Sequence, residues 1–189
     1  MKKLSILFLA LSASIISCKD AKKSTETIET NPIKTNVVQP KKVTITLTPK
    51  SNSNVTGTVV FTEENGVVSM LATMTGLEPG EHAIHIHESS DCSSPDGKST
   101  GGHWNPTNQP HGKWGVKTGY HKGDIGNFVA DENGNGNISV STNEWCIDCD
   151  DATKNITGKG IIVHAGVDDF KTQPTGDAGG RVSCAGIIE

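Results

Sequence analysis

Six of the chain's seven histidines fall between positions 82 and 124, in short segments bounded by turn residues. His82-Ala83-Ile84-His85-Ile86-His87 comes first, followed by Gly101-Gly102-His103-Trp104-Asn105-Pro106, then His111, then His121-Lys122-Gly123-Asp124. The seventh, His164, closes the β-branched run Ile161-Ile162-Val163-His164. Neutral imidazole is the commonest protein metal ligand, and clustered histidines with a carboxylate suit zinc or copper. His85 and His87 are two apart, so on a strand they project from one face and can share an ion. His121 and Asp124 are three apart beside a glycine, where a turn can bring nitrogen and carboxylate to one centre.

The elements that must position these residues read as β-structure. Aromatic residues make up only 4% of the chain while glycine is plentiful, and β-branched residues alternate through most of it. Strands are expected over 43–47, 55–62, 67–75, around His85 and His87, and over 125–130, 137–142, 156–164 and 181–188. Glu63-Glu64-Asn65-Gly66 and Asp131-Glu132-Asn133-Gly134 carry hairpin-turn signals. Residues 88–120 and 165–180 have little periodicity and many turn formers. A loop as long as the first is normally functional or disordered, and one holding His103, His111 and a cysteine reads as an ordered metal-bound loop. Eight strands, two long loops and no helix predict an all-β, eight-stranded Greek-key β-barrel or sandwich.

Ahead of this domain, Lys2 and Lys3 precede an apolar run from Leu4 to Ile16, then Ser17-Cys18. A basic start, a short apolar stretch and a small residue at the cut site describe an export signal over 1–17. Ile15-Ile16-Ser17-Cys18 also resembles a bacterial lipobox, which makes Cys18 a lipidation site and places the protein in the periplasm or cell envelope on a membrane anchor. Residues 18–40 are polar, hold two prolines and read as a flexible tether to a domain over 41–189. Five cysteines are an odd count; setting Cys18 aside leaves four, suited to an oxidising compartment. The formal net charge of −4 gives no support for a nucleic-acid partner.

The motifs taken together resemble the copper/zinc superoxide dismutases. The resemblance is carried by Gly80-Glu81-His82-Ala83-Ile84-His85-Ile86-His87, Gly102-His103-Trp104-Asn105-Pro106, Gly123-Asp124-Ile125-Gly126-Asn127, Val163-His164 and Gly179-Gly180-Arg181-Val182-Ser183-Cys184. It implies copper on His85, His87, His103 and His164, and zinc on His103, His111, His121 and Asp124, with His103 bridging the two. It also implies that Asp168 links a copper histidine to a zinc histidine, that His82 tethers a loop without ligating, and that Arg181 borders the copper channel. A cation there suits superoxide, a small anion approaching a net-negative domain, with Lys117, Lys122 and Lys171 as further contributors. Cys92 and Cys184 match the family's disulfide. The implied activity is dismutation of superoxide to dioxygen and hydrogen peroxide by alternating copper valence, with His103 exchanging a proton and zinc shaping its loop. A metal carrier on the same fold would be favoured by loss of a copper ligand or of the arginine, and both are retained.

Trp145-Cys146-Ile147-Asp148-Cys149 has no counterpart in the family pattern. A C-x-x-C can be a redox pair or half of a metal site. With no second pair to complete four thiolates, a local disulfide between Cys146 and Cys149 is expected. The loops around Cys92 and after His164 depart in length, which leaves monomer and homodimer both open.

Overall fold

The computed structural model describes residues 39–188. The export signal, Cys18 and nearly all of the expected tether lie outside the described residues. Eight strands follow in chain order: β1 (Lys41–Pro49), β2 (Thr56–Glu64), β3 (Val67–Thr75), β4 (Gly80–His87), β5 (Gly126–Ala130), β6 (Gly136–Thr142), β7 (Gly160–His164) and β8 (Arg181–Gly186). They close an antiparallel barrel in the order β1-β2-β3-β6-β5-β4-β7-β8, the all-β architecture expected from the strand count.

Alternation does most of the work in the first half. Val43, Ile45 and Leu47 of β1 point inward, as do Val68, Met70, Ala72 and Met74 of β3, while the residues between them face solvent. Each buried Val, Ile, Leu or Met side chain contributes about 1.5–3 kcal/mol, and a one-residue slip would turn the whole set outward. Register here is continuous, with nine consecutive pairs from Thr56↔Thr75 to Glu64↔Val67.

β4 breaks the alternation, since His82 to His87 are all buried. Ile84 and Ile86 enter the core on one face. His85 and His87 occupy the other, where the long β4–β5 connection covers them. β7 repeats the arrangement, with Ile161 and Val163 in the core and His164 on the covered side. Strands buried on both faces explain why these runs read as continuously apolar apart from their histidines.

Two sequence expectations are corrected. The strand expected from Ile156 begins at Gly160. Ile156 donates instead to the Cys146 carbonyl at 3.0 Å, so its buried side chain serves the 143–159 loop rather than the sheet. A single-turn 3-10 helix, Lys98–Thr100, stands where no helix was expected.

Candidate metal centre

Each functional side chain is delivered by an element with its own anchor. His103 sits at a bridge to His87, and the neighbouring Trp104 is sunk in the core, with its N–H bonded to the Ile86 carbonyl at 2.8 Å. Gly123 stitches the segment that carries His111, His121 and Asp124 to the same strand, because its carbonyl accepts from Ile86 N–H at 2.9 Å. It also donates to the Trp104 carbonyl at 3.0 Å. A Cβ at Gly123 would lie 3.1 Å from Trp104 N and closer still to the Ile86 carbonyl, so only glycine permits this approach.

His85, His87, His103 and His164 converge as one buried group, and His103, His111, His121 and Asp124 as a second; within each, the ligand atoms lie within 4.8 Å of one another. His103 belongs to both. The rings of His85 and His103 have centroids 4.0 Å apart.

Hydrogen bonds fix which nitrogen each ring leaves over. His85 Nε2 meets Asp168 Oδ2 at 2.9 Å, His87 Nδ1 donates to the Gly101 carbonyl at 3.0 Å, and His103 Nδ1 meets Asp124 Oδ1 at 2.9 Å. His164 Nδ1 makes a long contact of 3.4 Å with the Gly179 carbonyl. What remains is a set of buried, unpartnered nitrogens: Nδ1 of His85, Nε2 of His87, Nε2 of His103 and Nε2 of His164. Buried polar atoms without partners are costly, and four facing one another fit a cation with nitrogen preference. Nδ1 of His111 and of His121 are likewise unpartnered by hydrogen-bond geometry, although they lie 3.0 and 3.1 Å from the two Asp124 oxygens. Close but off-axis approach suits three nitrogens and a carboxylate aimed at one point, the donor set of zinc.

Asp168 spans the two groups, taking His85 Nε2 on one oxygen and His111 Nε2 on the other at 2.8 Å. Burial alone would raise both carboxyls, yet the histidines around Asp124 and Asp168 hold each of them well below the usual carboxylate range. Burial pushes His87 and His164 well down and His103 down to about 4, keeping these rings neutral as ligands must be. His111 goes the other way: burial opposes its charge, but Asp124 and Asp168 prevail and raise it to about 9.

A family model described as copper/zinc superoxide dismutase (SODC) matches residues 55–187. The chain belongs to that family. Its members are oxidoreductases that dismute superoxide with copper and zinc, and the two histidine groups of this chain suit those metals. Among solved structures, the clock protein EA4 is 32% identical, with a TM-score of 0.68 over 80% of this chain and 97% of its own. A double mutant of a SOD-like protein from Bacillus subtilis is 28% identical, with a TM-score of 0.68 over 77% of this chain and 97% of its own.

Arg181 opens β8 at the rim of a recess of about 290 Å³ whose wall also includes His87, His164, Asp96, Lys98 and Gly180. Its guanidinium is gripped by the loop ahead of His103. Nη1 donates to the Gly97 carbonyl and to Thr100 Oγ1, both at 2.9 Å, and Nη2 donates to the Gly101 carbonyl at 2.8 Å. The Cys92–Cys184 disulfide joins that loop to β8, with Cα atoms 5.9 Å apart.

Some residues that matter here were not legible in advance. Lys98, paired with Asp96 at 3.1 Å, is the lysine in the wall of this recess. Lys117 and Lys122 line a different depression with Tyr120, Lys122 is paired with Glu144, and Lys171 is exposed on the 165–180 loop. His82 shares strand parity with Ile84, not with His85. Its nitrogens meet the Glu78 and His164 carbonyls at 2.8 and 2.9 Å, outside both groups. Cys146 and Cys149 form a second disulfide.

Proposed function

We propose that the chain is a working copper/zinc superoxide dismutase, with copper held by His85, His87, His103 and His164 and zinc by His103, His111, His121 and Asp124. The observation that carries this reading is the pair of buried donor sets sharing one imidazole. Only an imidazole offers two nitrogens on opposite sides of one ring, so a shared histidine is the economical way to hold two cations side by side.

When bound, copper supplies the one-electron redox change that takes one superoxide to dioxygen and the next to peroxide, and zinc supplies a fixed positive charge beside the shared ring. The chain's own residues do the rest. Arg181 gathers the anion: three of its five N–H groups are committed to the loop, which leaves Nε–H and one Nη2–H for substrate. Cations at the mouth of a recess raise anion on-rates by about 10–10³-fold even on a net-negative protein. His103 turns Nδ1 toward Asp124, where it would bind zinc, and Nε2 toward the other three histidines, so Nε2 is the atom that would carry a proton to nascent peroxide. Solvent supplies the second proton and reprotonates His103, so that two superoxide anions and two protons become one dioxygen and one hydrogen peroxide. Asp168 holds His85 and His111 in fixed relation, which keeps both donor sets in shape.

Export, lipidation at Cys18 and a tether over 18–40 place the enzyme outside the cytoplasm in this reading. Two disulfides support an oxidising compartment. Superoxide crosses membranes poorly, so an extracytoplasmic enzyme would meet a substrate that internal enzymes miss. Fatty-acid labelling of the wild-type chain, lost in Cys18→Ala, tests the anchor.

The deciding experiment is cyanide-sensitive dismutation by the purified chain reconstituted with both metals. Full loading of copper and zinc without dismutation would leave a metal-binding module on this fold and end the catalytic reading.

A further inference from the structure

The loop between β7 and β8 meets the segment carrying the proposed zinc ligands His111, His121 and Asp124 mainly at His111, which it contacts three times, besides Lys113 lying over Phe170. Asp168 reaches its ring at 2.8 Å. Gly176 lies so close that an added Cβ would sit 2.6 Å from His111 Nε2 and closer still to Asp168 Oδ1, and its φ of +69° disfavours any other residue. The third contact is a clamp on the backbone. Gln173 Oε1 accepts from His111 N–H at 2.8 Å, and Gln173 Nε2 donates to the His111 carbonyl at 2.9 Å. A side-chain amide that pairs with both polar groups of one residue imitates a rung of β-ladder, and so fixes that residue's position and its backbone orientation together.

The clamp is itself built. The Asp169 carboxylate accepts from Lys171 N–H and Thr172 N–H, each at 2.8 Å, and from the Thr172 hydroxyl, closing the turn that projects Gln173. Gly176 N–H returns to the Thr172 carbonyl at 2.7 Å, and Asp169 N–H to the Gly176 carbonyl at 2.9 Å. Immediately beyond this turn the same loop supplies Thr175, Gly179 and Gly180 to the recess that holds Arg181, His87 and His164. The clamp on His111 and the wall of the substrate recess are thus two ends of one short segment.

We propose that Gln173 is a positioning residue that couples the two metal sites to anion entry: it holds His111 for zinc and, when zinc fixes His111, holds the recess wall in its anion-binding shape. The inference rests on His111 being a zinc ligand. Its logic is reciprocal, because a contact that links zinc occupancy to anion affinity must act in both directions.

The test uses the purified chain loaded with copper, with and without zinc, in wild type, Gln173→Ala and Gln173→Glu. The glutamate keeps an acceptor for His111 N–H and loses the donor to its carbonyl. Zinc release to a chromogenic chelator is expected to quicken about tenfold in the alanine variant and less in the glutamate variant, in the range found when residues supporting metal ligands are removed. Azide, as an anion probe read by its copper absorption band, is expected to bind more tightly with zinc than without in wild type. That difference is expected to shrink in Gln173→Ala while copper content and thermal midpoint hold. A residue with a merely structural role would lower the midpoint and leave the zinc-dependent difference in azide affinity unchanged. Unchanged zinc release together with an unchanged azide difference overturns the inference, and so does a wild type that binds zinc but shows no azide difference. A wild type that takes up no zinc overturns the ligand assignment itself.

Discussion

Arg181 and His87 are held by the same oxygen. The Gly101 carbonyl accepts from Arg181 Nη2 at 2.8 Å and from His87 Nδ1 at 3.0 Å. One backbone atom therefore anchors both the guanidinium in the wall of the recess and an imidazole of the first histidine group. Gly101 has φ +77°, and a Cβ there would lie 2.5 Å from Glu88 Oε2, so the carbonyl's placement depends on glycine.

From this relationship Arg181→Ala and Gly101→Ala should differ. Arg181→Ala removes the proposed partner of the anion and leaves His87 anchored; kcat/KM is expected to fall about tenfold or more, with a flatter dependence on ionic strength and copper content unchanged. Gly101→Ala disturbs both groups and is expected to lose copper as well as rate. Metal analysis beside salt-dependent kinetics separates the two. Arg181→Lys keeps the charge without the planar fork and is expected to recover only part of the rate.

Removing the long-range disulfide should cost stability and registration together. Cys92 and Cys184 are 92 residues apart, and closing a loop of that size contributes about 4–5 kcal/mol at most in the chain-entropy description. Cys92→Ser is expected to lower the thermal midpoint markedly. It also frees the loop that supplies the Gly97 and Gly101 carbonyls, so the rate should drop further than metal content does. A variant with full rate and a lowered midpoint would show that Arg181 is held without the disulfide.

The metal-free chain should be most stable near about pH 6.5–7. Burial lowers His85, His87, His103 and His164, so below their ordinary value of 6.5 the unfolded chain binds more protons than the folded one. Stability is then lost as pH falls, at up to about 1.4 kcal/mol per pH unit for each such histidine. His111 has the opposite sign. Raised to about 9, its contribution is complete below 6.5 and is lost as pH rises through about 9. Thermal midpoints measured in chelator from pH 5 to 9 check this, and a flat profile contradicts it.

The segment carrying the proposed zinc ligands His111, His121 and Asp124 has a second brace, away from Gln173. Glu144 accepts from the Tyr120 hydroxyl at 2.6 Å and pairs with Lys122, the two residues flanking His121. Trp145 Nε1 donates to the Lys122 carbonyl at 2.9 Å, and the ring packs edge-on against Trp114, with centroids 5.1 Å apart. Glu144→Ala is expected to speed zinc release several-fold and leave copper retention unchanged, as metal analysis after timed chelation would show. The Cys146–Cys149 disulfide directly follows this brace, and Trp145, the first residue of the segment without a counterpart in the family pattern, bonds the carbonyl of Lys122 next to His121.

The two buried donor groups were legible in the sequence because chemistry constrains their residue types. His85 and His87 announce themselves through strand parity, and Asp124 through its distance from His121. The residues that hold the ligands left no such mark. Gly97 and Gly101 act through carbonyls that every residue possesses, and Gln173 acts on a backbone more than sixty positions away, at a separation of 62. Lys98 opens a 3-10 turn whose Gly97, Thr100 and Gly101 are bonded by Arg181, a tertiary setting that sequence periodicity does not signal. Ile156 misled for a related reason: an apolar β-branched residue ahead of a strand reads as strand, but its burial was claimed by the Cys146 loop.

The barrel closes through two thin seams. β5 meets β6 at the single pair Ala130↔Gly136, and β1 meets β8 at Thr48↔Cys184 and Pro49↔Ser183. Between them lie two well-paired ribbons, β1-β2-β3-β6 and β5-β4-β7-β8, and every proposed strand-borne ligand sits on the second. The molecule is therefore built as a load-free frame and a functional half joined by little backbone bonding. Local opening free energies follow contact and pairing density, so the amide protons of β1 to β3 should stay protected after the metals are stripped, while those of β4 and β7 begin to exchange.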